Sequence, residues 1–414
     1  MKSAKYLLIG GGLASARAAK RIRELDAASP ITIVGAEPHA PYDHPPLSKD
    51  FMQLKTPVEK VYLDPPGFYA SKSIALMSGE AVTHLDAARK VATLAKGESI
   101  AFEKALLATG GTPIRLKVPG ADLPNVHTFR TLDDAMIVSR AAQKGRRAAI
   151  IGDGFIGLEL ASSFAQRGVG VDVVGRSPHI WSRFADARLA DYIRDYCAAR
   201  GVTFHQGQGV GSIAGNGHAT GVVLTSGEMI ACDFVIMAVG IEPDVRLAAE
   251  AGLKIDNGVV VDEFMRTSHP DIYAAGDIAN YPDPHSSRRR RVEHWGQADY
   301  TGALAGANMA GQQEAYSLLT YVFSDIFDLH LEFAGDESGC EQTLTRGRME
   351  SNSFAILYLK GGRMSAFFAI NMKRKEFKPF EQLIEQKIDL RGKEAQLQDT
   401  AFDLKTLFPQ PVAK

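Results

Sequence analysis

Cysteine is scarce. The 414 residues include three, Cys197, Cys232 and Cys340. No pair has the spacing of a metal clip or a C-x-x-C motif, which argues against a disulfide framework and a cysteine zinc site. Charge of either sign is not in excess: 47 basic and 48 acidic residues leave a net charge of −1. That excludes the profile of a strongly basic nucleic-acid binder or of a long acidic tail. No apolar run is long enough to span a bilayer. Met1-Lys2-Ser3-Ala4-Lys5 runs into a strand-like stretch with no apolar core or small-residue cleavage site. A secretory signal is therefore not expected, and a cytoplasmic location is. What the chain has is glycine, 39 residues, in a length that suits two to three domains of about 150 residues.

The glycines fall at informative places. Tyr6–Ile9 is a short apolar strand that stops at Gly10-Gly11-Gly12, continues as a helix from Ala14 to Ala28, and meets a second strand at 31–34. The pattern recurs: residues 148–151 lead into Gly152-Asp153-Gly154-Phe155-Ile156-Gly157, a helix to about Gln166, and a strand over 171–174. Each is a strand–turn–helix–strand unit of the kind that binds a dinucleotide. In such a loop the backbone N–H groups approach a pyrophosphate, and the helix N-terminus adds partial positive charge. The first loop ends on Ala14 and Ser15, with serine in the last small position, whereas the second fits the glycine pattern fully. A single match could be tight packing; two in matching contexts are specific.

An acid at the end of the second strand would bind ribose hydroxyls. In the first unit this is Glu37. In the second, Gly175 takes that place and Arg176 follows, with Arg183 further on. An arginine there accommodates a 2′-phosphate, which leans toward NADPH. The other reading is a solvated loop arginine.

Further strands are expected at 90–94, 105–108, 234–239 ending at Gly240, and 272–275 ending at Gly276-Asp277, with a helix over 297–309. Asp277 could equally cap a helix that follows. Beyond about Tyr316, aromatic strands at 353–359 and 364–370 joined by Gly361-Gly362 suit an antiparallel hairpin, and helical stretches close the chain at 380–386 and 404–407.

Together these pieces make the chain resemble the FAD-dependent pyridine-nucleotide oxidoreductases. The branch is that of putidaredoxin reductase, the ferredoxin reductases of ring dioxygenases, apoptosis-inducing factor and monodehydroascorbate reductase. The segments that carry the resemblance are the two glycine loops, Pro41-Tyr42-Asp43-His44-Pro45-Pro46-Leu47-Ser48-Lys49, Leu107-Ala108-Thr109-Gly110-Gly111, residues 267–277, Val292-Glu293-His294-Trp295 and Tyr321-Val322-Phe323-Ser324-Asp325. It implies an α/β fold with two Rossmann-like domains. FAD would take 1–110 and 241–315, the nicotinamide cofactor 111–240, and an α+β interface domain 316–414. It also implies flavin contacts from Gly10, Gly12, Ala14, Ser15, Glu37, Pro46, Val82, Ala108, Thr109, Gly110, Arg130, Gly276, Asp277, Glu293, His294, Trp295 and Phe323. Gly152, Gly154, Phe155, Ile156, Gly157, Arg176 and Gly240 would serve NAD(P)H. Lys49 would sit beside the isoalloxazine, stabilising negative charge, paired with Glu159 on the first turn of the second-unit helix. Trp295 would stack there and exclude water.

Disulfide-reducing relatives need two cysteines near the flavin, and peroxidase relatives one. This chain has none before Cys197, so electrons pass directly from the flavin outward. The implied activity is transfer from NAD(P)H through FAD to a small acidic carrier, ferredoxin or rubredoxin. Tyr321 and Phe323 stand where several ferredoxin reductases carry tryptophan, and Gln297 replaces a more usual Asn or His. A monodehydroascorbate- or quinone-reducing enzyme is the alternative, and a redox-sensing interaction protein the third reading. Arg288 to Arg291 and Lys373-Arg374-Lys375 are basic runs that would be either a docking face for the carrier or solvated surface.

Overall fold

The computed structural model describes residues 2–182 and 186–409; Arg183 lies outside them. The chain divides into two compact units. The first comprises Met1–Pro45, Pro57–Thr112 and Ile241–Leu318; the second comprises Pro46–Thr56, Pro113–Gly240 and Leu319–Lys414.

The first unit is built on a seven-stranded sheet. Strand Lys2–Ile9 lies between Ile31–Gly35 and Ser99–Leu107, parallel to both, and Ile74–Ser78 and Ile272–Ala274 extend the parallel set. Tyr6, Leu7, Leu8 and Ile9 are all buried, as a strand covered on both faces requires. Each such side chain contributes roughly 1.5–3 kcal/mol. The helix Leu13–Leu25 packs on the long helix Trp295–Met309. A Cβ on Gly302 would come within 2.4 Å of Ala14 O, and one on Gly306 within 2.6 Å of Ala18 O. The two backbones therefore touch, and Ala14 is small because it faces Gly302.

The second unit contains a five-stranded parallel sheet. Its order is Val202–Gln206, Gly170–Gly175, Arg147–Ile151, Phe234–Met237, Val126–Thr128. A three-stranded antiparallel sheet covers 210–231. The C-terminal part is a five-stranded antiparallel sheet over 321–370. Its hairpin, Ser353–Lys360 with Arg363–Ile370, turns through Gly361 and Gly362 at φ +59° and +73°. That is the left-handed pair a tight hairpin demands. Phe367 packs with Phe377 and Phe380 of the helix Arg374–Glu385.

Several boundaries differ from expectation. The first helix stops at Leu25, not Ala28, because the Asp26 carboxylate accepts hydrogen bonds from Ser29 N, Lys5 Nζ and Tyr6 Oη and pulls the chain into a turn. The helix expected from Gln297 begins at Trp295, where His294 Nδ1 accepts from Gly296 N. Asp277 caps no helix: Gly276–Ile278 is a single tight turn leading into strand Ala279–Asp283. Residues 404–407 form a 3-10 turn.

Candidate functional site

Both glycine loops have the same backbone. Gly10 and Gly152 sit at φ +120° and +117°. A Cβ on the first would lie 2.1 Å from Ala108 O, and on the second 2.2 Å from Ala238 O. Gly10 N donates to Val34 O at 2.8 Å, and Gly152 N to Val174 O at 2.9 Å. Gly12 and Gly154 precede their helices in extended conformation with no side-chain cap. A Cβ on either meets nothing within 4 Å. The uncapped N–H groups of Leu13–Leu25 and Phe155–Gln166 thus face open space. That is the cradle a pyrophosphate fills. Two buried polar atoms in the first unit, Ser15 Oγ and Gln297 Nε2, have no hydrogen-bond partner. Unmet capacity of this kind, beside an open cradle, fits a polar ligand. The residues present fit both dinucleotides.

The remaining residues of the first unit are placed as follows. Glu37 stands past the end of strand Ile31–Gly35 and accepts from Tyr42 Oη at 2.7 Å. Ala108, Thr109 and Gly110 follow strand Ser99–Leu107; Thr109 Oγ1 donates to Asp244 O at 2.7 Å. Val82 is a buried strand residue. Gly276 N donates to Thr301 Oγ1 at 2.9 Å, and Asp277 is buried beside it. Trp295 Nε1 donates to Asp43 Oδ1 at 2.7 Å, tying the Pro41–Pro45 segment to the start of the long helix. Glu293 binds Arg291, and His294 caps the helix. Gln297 had drawn attention only as a departure from the family pattern; it is buried, and Tyr316 Oη donates to its Oε1 at 3.1 Å.

The second unit gathers a charged cluster. Lys49 Nζ lies 3.4 Å from Glu159 Oε1, as the resemblance implied, but closer, at 3.0 Å, to Asp325 Oδ2. Glu159 is on the second turn of its helix rather than the first. Its carboxylate accepts from Ser48 Oγ at 2.5 Å and from Ser324 Oγ at 2.6 Å. Burial pushes the Glu159 carboxyl above its ordinary range, against the pull of Lys49 and the two serines. Asp325 passes the chain of contacts to His330, Oδ1 to Nδ1 at 2.7 Å, and His330 Nε2 reaches Glu332 at 3.2 Å. Hydrogen bonds to Asp325 and then Glu332 raise His330 to about 9. Burial alone would lift Asp325; His330 and Lys49 outweigh it and hold it at about 2. Phe323 lies under the ammonium, 5.1 Å from ring centroid to Lys49 Nζ. Pro46 begins the short helix Pro45–Ser48. Arg130 N donates to Asp134, just ahead of the helix Leu132–Ala141. The sequence reading assigned no role to Ser48, Ser324, Asp325 or His330; Ser48 and Ser324-Asp325 stood inside recognised motifs, and His330 had no signal.

Phe155 and Ile156 open the second-unit helix; Phe155 packs on Trp181 with centroids 4.9 Å apart. Gly157 has no room for a Cβ, which would lie 2.1 Å from Gly152 O. Gly240, at φ +107°, accepts from Ile114 N. Arg176 is exposed.

The arginine run is partly exposed, at Arg288 and Arg289, and also makes internal hydrogen bonds. Arg289 donates to Val261 O and Asn280 O, Arg290 to the buried Asp283 at 3.2 Å, and Arg291 to Glu293 at 2.7 Å and Asp277 O at 3.0 Å. These bonds hold the chain ends around strands Val259–Val260, Ala279–Asp283 and Arg288–Arg290 together. Lys373, Arg374 and Lys375 are exposed.

Comparison with known proteins was made on this geometry. Residues 4–302 match the model of the family described as pyridine nucleotide-disulphide oxidoreductase, and residues 321–408 match the reductase C-terminal domain. Rhodocoxin reductase of Rhodococcus erythropolis is 32% identical over 400 residues, covering 96% of this chain and 93% of that protein. Rubredoxin-NAD(+) reductase of Pseudomonas putida is 31% identical, covering 89% and 96%. The crystal structure of the covalent putidaredoxin reductase–putidaredoxin complex superposes with a TM-score of 0.93 at 28% identity, covering 98% of each chain.

Proposed function

The chain belongs to the pyridine nucleotide-disulphide oxidoreductase family, and on that footing we propose that it is an NAD(P)H-dependent flavoprotein reductase delivering electrons to a small carrier, a ferredoxin or a rubredoxin. FAD, when bound, accepts a hydride from NAD(P)H and releases electrons singly. The chain supplies position and field. In this reading the Gly10–Ser15 turn, Glu37 and Asp277 hold FAD, and the Gly152–Gly157 turn holds the nicotinamide dinucleotide. The FAD domain is 1–110 with 241–315, the dinucleotide domain 111–240 and the interface domain 316–414. Lys49 presents a fixed positive charge, oriented by Glu159 and Asp325. Trp295, anchored by Asp43, excludes water from the start of the long helix.

One observation carries the direct route of electrons. No cysteine precedes Cys197, and burial pushes the Cys197 and Cys232 thiols up to about 12 and about 11, so both stay protonated and inert. The carrier is the acceptor the relatives' names support. Lys373 to Lys375 is an exposed basic cluster that could meet it, as are Arg288 and Arg289. Tyr321 and Phe323, in place of tryptophan, keep a quinone or monodehydroascorbate as the second acceptor. A cytoplasmic location belongs to the same proposal. Between NADH and NADPH, exposed Arg176 would favour the 2′-phosphate.

Anaerobic stopped-flow absorbance tests the proposal. The purified protein should be yellow with one FAD per chain, bleach with NADH or NADPH, and regain colour on mixing with oxidised ferredoxin or rubredoxin. A colourless protein that takes up no FAD overturns it. Reoxidation by quinone or monodehydroascorbate but by no carrier moves the assignment to the second acceptor.

A further inference from the structure

The middle residue of the second glycine loop is Asp153, where the first loop has Gly11. In the first unit Gly11 faces Gly35 at the strand end, and a Cβ on either would come within 3.0 or 2.8 Å of the other's Cα. In the second unit the strand-end glycine is kept, as Gly175, but what faces it is a carboxylate. A Cβ on Gly175 would lie 2.1 Å from Asp153 Oδ2 and 2.7 Å from its Cγ. The Asp153 side chain therefore fills the space from which an acid at position 175 would start. Gly175 is in parallel register with Gln206, the last residue of the neighbouring strand. Asp153 Oδ2 and Gln206 Nε2 are both buried, and neither completes a hydrogen bond. Burial pushes the Asp153 carboxyl above its ordinary range, with the nearby Gln206 amide acting against that. Hydrogen bonds from a ligand's hydroxyl groups would relieve the same cost.

We propose that Asp153, flanked by Gln206, takes over the ribose-reading role that Gly175 leaves open, and that it makes the enzyme prefer NADH to NADPH. This rests on the second loop being the nicotinamide-dinucleotide site. A carboxylate accepts from a ribose 2′-hydroxyl and repels a 2′-phosphate. Arg176 works in the opposite direction, but it is exposed, so its attraction is screened by water and opposed by the entropy of ordering a long side chain. Asp153 is wedged against Gly175 and gives up little freedom on binding. The lean toward NADPH drawn from Gly175 and Arg176 is reversed on this reading, because the acid missing from the strand end is supplied by the loop.

The test is a binding titration of the FAD-loaded, full-length protein with NAD+ and NADP+, read by calorimetry without turnover. Wild type should bind NAD+ at least about tenfold more tightly than NADP+. Asp153→Asn should weaken NAD+ by about tenfold or more while leaving NADP+ unchanged or tighter, so that the preference collapses. Asp153→Gly, which recreates the first unit's loop, should do the same and guards against a defect peculiar to the amide. FAD content and thermal midpoint check that each variant is folded. The inference is overturned if wild type prefers NADP+, or if both Asp153 variants keep the NAD+ preference. If wild type binds neither dinucleotide, the reading of the loop as a nicotinamide site fails with it.

Discussion

The two glycine loops share a positive-φ first glycine and the same hydrogen bond to the neighbouring strand, and carry different side chains. Both turn at a positive-φ glycine that abuts the end of a neighbouring strand, and both present an uncapped helix start to open space. They diverge in two places. Ser15 is tolerated, fully buried, where Gly157 leaves no room for a Cβ. Gly11 meets Gly35 backbone to backbone, whereas Asp153 lays a carboxylate against Gly175. On the proposed reading, backbone geometry would let a pyrophosphate be held, and the side chains around it would decide which nucleotide is chosen. A motif match speaks to the first and is silent on the second.

The largest effect should come from breaking the shared geometry. Gly10→Ala and Gly152→Ala each place a methyl about 2 Å from a backbone oxygen at a φ that side chains avoid, a cost of about 2–4 kcal/mol. Gly10→Ala should purify without flavin. Gly152→Ala should stay yellow but lose NAD+ binding in calorimetry. Loss of flavin from the Gly152 variant as well would show that the two loops do not act independently.

The next contrast is the buried charge cluster of the second unit. Glu159→Gln leaves Lys49 with Asp325 as its ion-pair partner. Removing one member of a buried pair costs about 3–5 kcal/mol; the retained Lys49–Asp325 pair should keep the loss near the lower end, although only the amide oxygen can accept, so the serine facing the new NH2 must turn to accept. A double-mutant cycle in urea should give stronger coupling for Lys49 with Glu159 than for Lys49 with the half-exposed Asp325. The reverse order would make Asp325 the true counterion.

A smaller effect is pH dependence. His330 titrates at about 9 in the folded protein against an ordinary 6.5, so the stability it adds is complete below about 6.5 and is lost as pH rises through about 9. Asp325, held at about 2 against 3.8, contributes above 3.8 and loses that contribution as pH falls toward 2. His330 is half-exposed, so the size is a fraction of a kcal/mol. His330→Gln should flatten the alkaline decline of the thermal midpoint between pH 6.5 and 9; an unchanged slope would remove His330 from the cluster. The smallest effect is expected from thiols. Replacing all three cysteines with alanine should leave NADH-driven ferricyanide reduction within about twofold, and a collapse of that rate would reinstate a thiol step.

The sequence made much of this legible. The positive φ of Gly10 and Gly152 is a local requirement that only glycine meets without strain, so the spacing alone announced both loops. Strand 6–9, the 353–370 hairpin and the C-terminal α+β region followed from apolar runs and a Gly-Gly turn. Boundaries were less legible where a side chain competes with the helix, as Asp26 does at the end of the first one. The arginine run was read from charge density, which cannot distinguish solvent from buried carbonyls as partners. Arg289 finds Val261 O, 28 residues away, and Arg291 finds Asp277 O, 14 away.

By itself, then, the sequence determined that two glycine loops, each between a strand and a helix, lie in one chain, that no thiol precedes Cys197, and that the chain resembles flavin-dependent reductases. These are properties of short segments whose geometry is set by neighbouring residues. Tertiary structure alone decided that Lys49 has a second counterion, Asp325, 276 residues away. It also decided that Glu159 is held by serines from two other segments, and that the Asp153 side chain lies against Gly175. Each of these depends on strands and helices distant in sequence being brought to within hydrogen-bond or van der Waals distance, and a contact range of about 3–4 Å leaves no trace in spacing or composition.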